Sequence, residues 1–126
     1  MVLDIDSTDD PAHGKQQLAL FHGYYDQYMY HPIIFGCGGN VIFSYLRPGR
    51  HHASRGVIPL LKFLLNHIRN RFPNVKIKLR ADSGFAIPRF FDFLEDNNIQ
   101  YAIALITNKR LIKKNELFIK KAQRAF

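Results

Sequence analysis

The chain opens on an alternation. In Val2-Leu3-Asp4-Ile5-Asp6 the apolar Leu3 and Ile5 fall on one face of a strand, and Asp4 and Asp6 share the other. From Ser7 to Gln17 the pattern lapses, and Pro11 and Gly14 among polar residues predict a loop. Leu18 to Phe35, rich in Tyr, Phe and Ile, and Asn40 to Leu46 then read as two β-type runs. Gly36-Cys37-Gly38-Gly39 supplies the flexible backbone of a hairpin turn between them, and Arg47-Pro48-Gly49 closes the hairpin. Helical spacing takes over at Val57, Ile58, Leu61, Leu64, Leu65, Ile68 and Phe72. Ser54 is the predicted N-cap, Pro59 falls where a helix tolerates proline, and Pro73 marks the end. Val75 to Asp82 alternates again until Ser83-Gly84 breaks it. Ile87, Phe90, Phe91 and Leu94 form the stripe of a second helix, with Pro88 in its first turn and Asn97-Asn98 as its stop. Tyr101 to Ile106 is a continuous apolar run, which predicts a buried central strand. The tail from Lys109 to Phe126 predicts a basic, weakly amphipathic helix.

The predicted order is β-β-β-α-β-α-β followed by a helical tail. A hairpin followed by β-α alternation gives a mixed α/β sheet with flanking helices, and this order matches the ribonuclease H-like fold. No internal repeat or linker divides the chain. It reads as one domain over residues 1–126, with residues 108–126 as a basic tail. The strand from Val75 to Asp82 places Lys76, Lys78, Arg80 and Asp82 on a single face, although a strand covered on both faces should be nearly all apolar. Such a face lines a nucleic-acid groove, or awaits a covering element from outside the chain.

Composition narrows the class. A hydrophobic fraction of 47% is too high for a disordered chain. The single cysteine, Cys37, excludes an intramolecular disulfide framework and a cysteine-based zinc site, and fits a reducing compartment. An acidic start is unlike a secretory signal. The uncharged run from Gln27 to Leu46 contains Pro32, three glycines and Asn40, and cannot be a membrane helix. A cytoplasmic, nucleoid-associated protein without a membrane partner is the expectation. The net charge of +8 is unevenly placed. Residues 1–46 carry one basic and five acidic side chains, a net of −4, and residues 47–126 carry seventeen basic and five acidic, a net of +12. Carboxylates at the start of a strongly basic body suit a site that serves a polyanion.

Two of those carboxylates end strands. Asp6 closes the first strand, and Asp82 closes another 76 residues later. Strand ends meeting at one edge of an α/β sheet are where ligands gather. Two carboxylates brought together there repel each other unless a hard cation such as Mg²⁺ lies between them. Spacing alone leaves ordinary loop capping by aspartate as the alternative.

Around these residues the chain resembles a known family. Leu3-Asp4-Ile5-Asp6-Ser7-Thr8-Asp9-Asp10-Pro11 is similar to the opening of the insertion-sequence transposases of the "transposase DDE domain group 1" type. Leu20-Phe21-His22-Gly23-Tyr24-Tyr25-Asp26, Leu46-Arg47-Pro48-Gly49 and His52-Ala53-Ser54-Arg55-Gly56 resemble its next blocks, and Leu79-Arg80-Ala81-Asp82-Ser83-Gly84-Phe85 resembles the block of the second catalytic aspartate. The blocks run in order from Leu3 to about Leu111. The resemblance implies a ribonuclease H-like core that cuts transposon ends and joins them to target DNA with two Mg²⁺ or Mn²⁺ ions. It places the first catalytic, metal-binding acid on Asp6, with Asp4 and Asp9 as near alternatives, and the second on Asp82. The family's third acid is a glutamate on a downstream helix beside a Tyr and an Arg, and no such block exists here. The chain is therefore expected to be the N-terminal part of a catalytic domain, inactive alone. Glu116, 34 positions after Asp82, is the one internal candidate for the third acid; otherwise it is an exposed partner of nearby lysines.

Arg47, Arg50, Arg55, Lys76, Lys78 and Arg80 are the candidate contacts to DNA phosphates, each with an ordinary solvated charge as its alternative. Self-association through an uncovered apolar face is a further expectation. The six histidines show no metal-ligand spacing, and Cys37 has no partner. Two rival readings stand beside the transposase. A decayed, non-catalytic DNA-binding remnant would keep the fold. A phosphatase of the haloacid dehalogenase type would use Asp4 as nucleophile and Asp6 as acid/base in Asp4-Ile5-Asp6-Ser7-Thr8, although that fold wants repeated β-α units where this chain has a hairpin.

Overall fold

The computed structural model describes residues 1–106 and 108–125. In chain order the elements are β1 (Val2–Ser7), β2 (Asp10–Pro11), β3 (Leu20–His22), β4 (Gln27–Tyr30), β5 (Ile33–Cys37), β6 (Asn40–Tyr45), α1 (Val57–Arg71), β7 (Lys78–Ala81), a 3-10 turn (Ser83–Phe85), α2 (Pro88–Asp96), β8 (Gln100–Ile103) and α3 (Lys109–Ala125). Five strands form the main sheet in the order β6-β5-β1-β7-β8. The pairs β6-β5 and β5-β1 are antiparallel, and β1-β7 and β7-β8 are parallel. The mixed sheet expected from the order of elements is the one observed.

Alternation decides which face is covered. Leu3 and Ile5 of β1, Ile33 and Phe35 of β5 and Leu79 of β7 point to one side, where α1 and α2 lie across them. Leu61, Leu64, Leu65 and Ile68 of α1 and Phe90 and Leu94 of α2 complete that core, with Phe85 from the 3-10 turn. The opposite face carries Asp4, Lys78, Arg80 and Gln100, and it is open among the described residues. This is the polar face expected from Val75 to Asp82. The strand itself is shorter, because Val75 to Ile77 precede the pairing and the Lys78 N–H bonds to the carbonyl of Met1 at 2.9 Å.

Several expectations need correction. The run from Leu18 to Phe35 is three short strands, β3, β4 and β5, because the chain reverses through Gly23 to Asp26, where Asp26 takes a left-handed φ of 51°. The predicted loop from Ser7 to Gln17 contributes β2, and β2-β4-β3 form a second, three-stranded sheet. Ser54 does not cap α1. The N-cap is Gly56 at φ 77°, and the Ser54 hydroxyl instead meets Nδ1 of His52 at 2.9 Å. The apolar run from Tyr101 to Ile106 is not a central strand. Only its first part pairs, as β8 at the sheet edge, and Tyr101, Leu105 and Ile106 are exposed. α3 spans nearly all of the predicted tail, whose last residue lies outside the described ones, and it leaves Ile112, Phe118 and Ile119 exposed. Among the described residues no helix is long and apolar enough to cross a membrane.

Candidate active site

The register of β1 on β7 brings the two predicted acids together. Val2 pairs with Lys78, Leu3 with Leu79, Asp4 with Arg80 and Ile5 with Ala81. The pairing runs to Ile5 and Ala81, and Asp6 and Asp82 are the residues that follow them at the same end of the two strands. Adjacent strands lie about 5 Å apart, and aligned residues of a parallel pair project to the same face. Asp6 and Asp82 thus stand at the C-terminal edge of the sheet on its open face, both exposed. The side-chain alternation that buries Leu79 and half-buries Ala81 turns Arg80 and Asp82 outward.

Each carboxylate is steadied locally through one oxygen. Oδ1 of Asp6 accepts the Ser7 N–H at 2.7 Å, and Oδ1 of Asp82 accepts the Gly84 N–H at 2.8 Å, capping the 3-10 turn. Glycine is required at 84: a Cβ there would lie 2.9 Å from the Ala53 methyl and 3.0 Å from Oδ1 of Asp82. Asp4, one step back, is engaged elsewhere. Arg80 donates to both of its oxygens, from Nε at 2.6 Å and from Nη2 at 3.0 Å, and this bidentate grip holds the Asp4 carboxyl below its ordinary value. Asp9, the other alternative for the first acid, accepts from Nε2 of Gln27 at 3.0 Å.

The small sheet carries an aromatic turn toward this edge. The Thr8 N–H bonds to the Pro32 carbonyl and the Ala12 N–H to the Tyr28 carbonyl, which fastens the β2-β4-β3 unit beside the end of β1. Its turn stacks Tyr25 edge-on against His22 at 5.1 Å and against His31 at 6.1 Å. Partial burial, and then the negative charges around it, those of Asp9, Asp82 and Asp6 among them, push the Tyr25 hydroxyl above its ordinary range. Tyr25 had no role in the sequence reading. A tyrosine in a β-type run gives no sign that a turn will swing it toward two distant strand ends.

The basic candidates separate into groups. Lys78 and Arg80 are exposed on the open face, and Arg50 and Arg55 are exposed on the loop before α1. Arg50 lines a cleft of about 350 Å³ with Phe21, His22 and Gly23. Arg55 lines another of about 320 Å³ with Arg89, a residue the sequence reading had not singled out. Lys76 precedes β7 at the opposite edge of the sheet, six residues before Asp82, or roughly 20 Å at strand spacing. Arg47 is not available to DNA. It is 2% exposed, and its guanidinium donates to the carbonyls of His31 at 2.7 Å and of Ala53 and Arg55 at 2.8 Å each. Burial pushes its pKa down to about 10.

The donor set at the edge suits a hard cation: two carboxylates, each with one oxygen on a backbone N–H and the other, among the described residues, free of protein hydrogen bonds. Mg²⁺ is commonly held by one or two carboxylates, with water and phosphate oxygens filling the rest of its octahedron. Among the described residues no group of three His, Cys, Asp or Glu side chains could hold a metal ion by itself. Glu116 lies exposed midway along α3 and joins no such group.

The fold has relatives among solved structures. It is similar to a Mos1 transposase paired-end complex with the left transposon end, at TM-score 0.56 and 14% identity over 79% of this chain and 34% of that one. The catalytic domain of Mos1 mariner transposase gives TM-score 0.56 and 14% identity, over 86% of this chain and 50% of that one. A piggyBac transposase synaptic complex with hairpin DNA gives 0.53 and 18%, over 88% of this chain and 24% of that one. The chain thus spans half or less of the length of each. Identities this low speak for the fold, which is the ribonuclease H-like fold of transposase catalytic domains. No curated protein matches the sequence. The family model described as transposase DDE domain group 1, in contrast, matches residues 1 to 126, all of them. The chain belongs to the transposase DDE domain group 1 family.

Proposed function

We propose that this chain carries the first two acids, Asp6 and Asp82, of a metal-dependent transposase that cleaves DNA strands and transfers them to a target. The observation that supports the reading is the β1-β7 register, whose last pair, Ile5 with Ala81, leaves the exposed Asp6 and Asp82 next in line at one end of adjacent strands. The bidentate grip of Arg80 on both oxygens of Asp4 supports Asp6 over Asp4 as the first acid. It also counts against the dehalogenase-type reading, which needs Asp4 free as a nucleophile.

In this mechanism Asp6 and Asp82 hold divalent ions through the oxygens left free by Ser7 and Gly84. Mg²⁺ or Mn²⁺, when bound, lowers the pKa of an attacking water or 3′-hydroxyl and stabilises the leaving oxygen of the phosphodiester. The protein's own part is placement. The backbone N–H groups of Ser7 and Gly84 fix the carboxylate rotamers, and the exposed Arg50 and Arg55, on the loop whose Ala53 lies over Gly84, meet DNA phosphates near that edge, with Lys78 further along the open face. Transposon ends and target DNA are the partners, and the cytoplasm and nucleoid the setting. Self-association draws support from the exposed apolar side chains of the edge strand β6, Val41, Ile42 and Tyr45.

The reading includes a dependence. A third carboxylate is needed to complete the ion clamp, so the isolated chain neither nicks nor joins DNA. The test is nicking of supercoiled DNA in Mg²⁺ by the purified chain. No nicking is expected. Nicking abolished by Asp82→Asn but untouched by Glu116→Gln would contradict the dependence, and nicking abolished by both would bring Glu116 into the site. Mg²⁺-dependent phosphatase activity lost in Asp4→Asn would overturn the reading in favour of the dehalogenase-type enzyme.

A further inference from the structure

Arg47 lies between the backbone supports of the two aspartates. Its Nε donates to the carbonyl of His31, and the next residue, Pro32, accepts the N–H of Thr8, two positions after Asp6. Its Nη1 donates to the carbonyl of Ala53, and the Ala53 methyl fills the space over Gly84, whose N–H holds Oδ1 of Asp82. A second bond from Nη1 to the Arg55 carbonyl and a return bond from the His31 N–H to the Arg47 carbonyl close the arrangement.

Loop closure alone does not account for a guanidinium here. Among the described residues no carboxylate pairs with Arg47, and its Nη2 is buried without a partner. Burying a charge on those terms costs stability, and an apolar side chain of similar length would fill the space more cheaply. A planar, rigid fork does what an apolar side chain cannot: it binds several carbonyls at fixed angles from one point.

We infer that Arg47 is a positioning residue that sets the separation of the Asp6 and Asp82 strand ends from inside the protein, one arm of its fork reaching the support of each. The purpose of that separation rests on the two-aspartate reading above; the linkage does not.

The test uses the whole chain, ¹⁵N-labelled and metal-free, as wild type, Arg47→Met and a control, Leu64→Ala, with the comparison made at conditions of equal global stability. Hydrogen exchange at the Thr8 and Gly84 amides reports the two arms. Arg47→Met should speed both by about tenfold beyond the control and weaken Mn²⁺ binding by about tenfold or more, the effect typical of outer-shell partners of a metal site. Ala53→Gly serves as a second variant, which stands if Arg47→Met fails to fold. It should speed exchange at Gly84 and leave Thr8 unchanged. Exchange at both amides that merely tracks the control, or an Ala53→Gly variant that leaves Gly84 unchanged, would overturn the inference. Mn²⁺ binding that is absent in the wild type, or indifferent to Asp82→Asn, would instead sink the two-aspartate reading, and the exchange rates would still decide the role of Arg47.

Discussion

Arg80 grips both oxygens of Asp4, at 2.6 and 3.0 Å, one step behind Asp6 and Asp82 on the same two strands. The pair neutralises Asp4 and leaves Asp6 and Asp82, the proposed metal ligands, free of Arg80. Because Arg80 and Asp4 are 66% and 39% exposed, their contribution to stability is small, and their effect is on which carboxylate is free. Mn²⁺ titration of single variants reads this directly. Asp6→Asn and Asp82→Asn should each weaken binding by about tenfold or more, while Asp4→Asn changes it by less than about threefold. A larger loss in Asp4→Asn than in Asp6→Asn would reassign the first acid.

Gly84 is where the Asp82 turn tolerates least. With 2.9 Å to the Ala53 methyl and 3.0 Å to Oδ1 of Asp82, an added Cβ must displace one of them. Gly84→Ala should destabilise the fold by about 1–3 kcal/mol, the usual cost of overpacking. Chemical denaturation would measure it, and a neutral substitution would show that the loop before α1 gives way freely.

Stability should fall as the pH drops from about 7.5 toward 5, and His31 is a principal cause. Burial holds His31 below its ordinary 6.5, outweighing the bond between Nδ1 and the His51 carbonyl. The unfolded chain therefore binds a proton that the folded one resists, so the stabilisation is complete above 6.5 and is lost as the pH falls toward the folded value. His51, also lowered by burial, adds in the same sense. Urea unfolding at several pH values should show a shallower acid loss in His31→Gln than in the wild type. Equal slopes would remove His31 from the account. The Asp4 carboxyl is lowered as well, and its contribution is lost only in a separate window, below 3.8.

DNA affinity should depend steeply on salt. Removing one phosphate contact lowers the slope of log affinity against log salt by about one. Arg50→Ala and Arg55→Ala are expected to do so, because both side chains are exposed on the loop whose Ala53 lies over Gly84, beside Asp82. Lys76→Ala should leave the slope unchanged, since that residue precedes β7 at the far edge. Fluorescence anisotropy with a short duplex across a salt series separates these outcomes, and an equal effect of all three would mean a diffuse surface instead.

The core offers a check on the fold itself. Phe35 is fully buried where β5 meets the helices, and Phe35→Ala should cost about 3–5 kcal/mol in denaturant unfolding.

Much of this was legible in local pattern. Leu3 and Ile5 against Asp4 and Asp6, and Leu79 and Ala81 against Arg80 and Asp82, told both the strands and their faces. The shared register, which makes the site, is a tertiary fact that alternation cannot supply. Tyr101 to Ile106 looked like a central strand because apolar runs are alike in the middle and at the edge of a sheet; neighbour order is not written in the strand. Leu18 to Phe35 hid a reversal between β3 and β4, with Asp26 at positive φ, a conformation Asp tolerates without announcing it. Arg47, beside Pro48 and Gly49, looked like a surface charge, and only the three carbonyls converging on it from two segments explain its burial.

The central position of β1 also has a consequence in time. Its antiparallel partner β5 becomes available within a few dozen residues of synthesis, but its parallel partner β7 lies 76 positions downstream, as the pairing of Val2 with Lys78 shows. A growing chain can therefore assemble the β6-β5-β1 meander early, while the edge of β1 that carries Asp6 waits unpaired until α1 and β7 have been made. Long-range parallel pairing is slow, and an exposed strand edge is open to wrong partners in the interval. The strand ends that carry the two aspartates can come together only after β7 has been made, so a delay or mispairing at that edge bears on the proposed site.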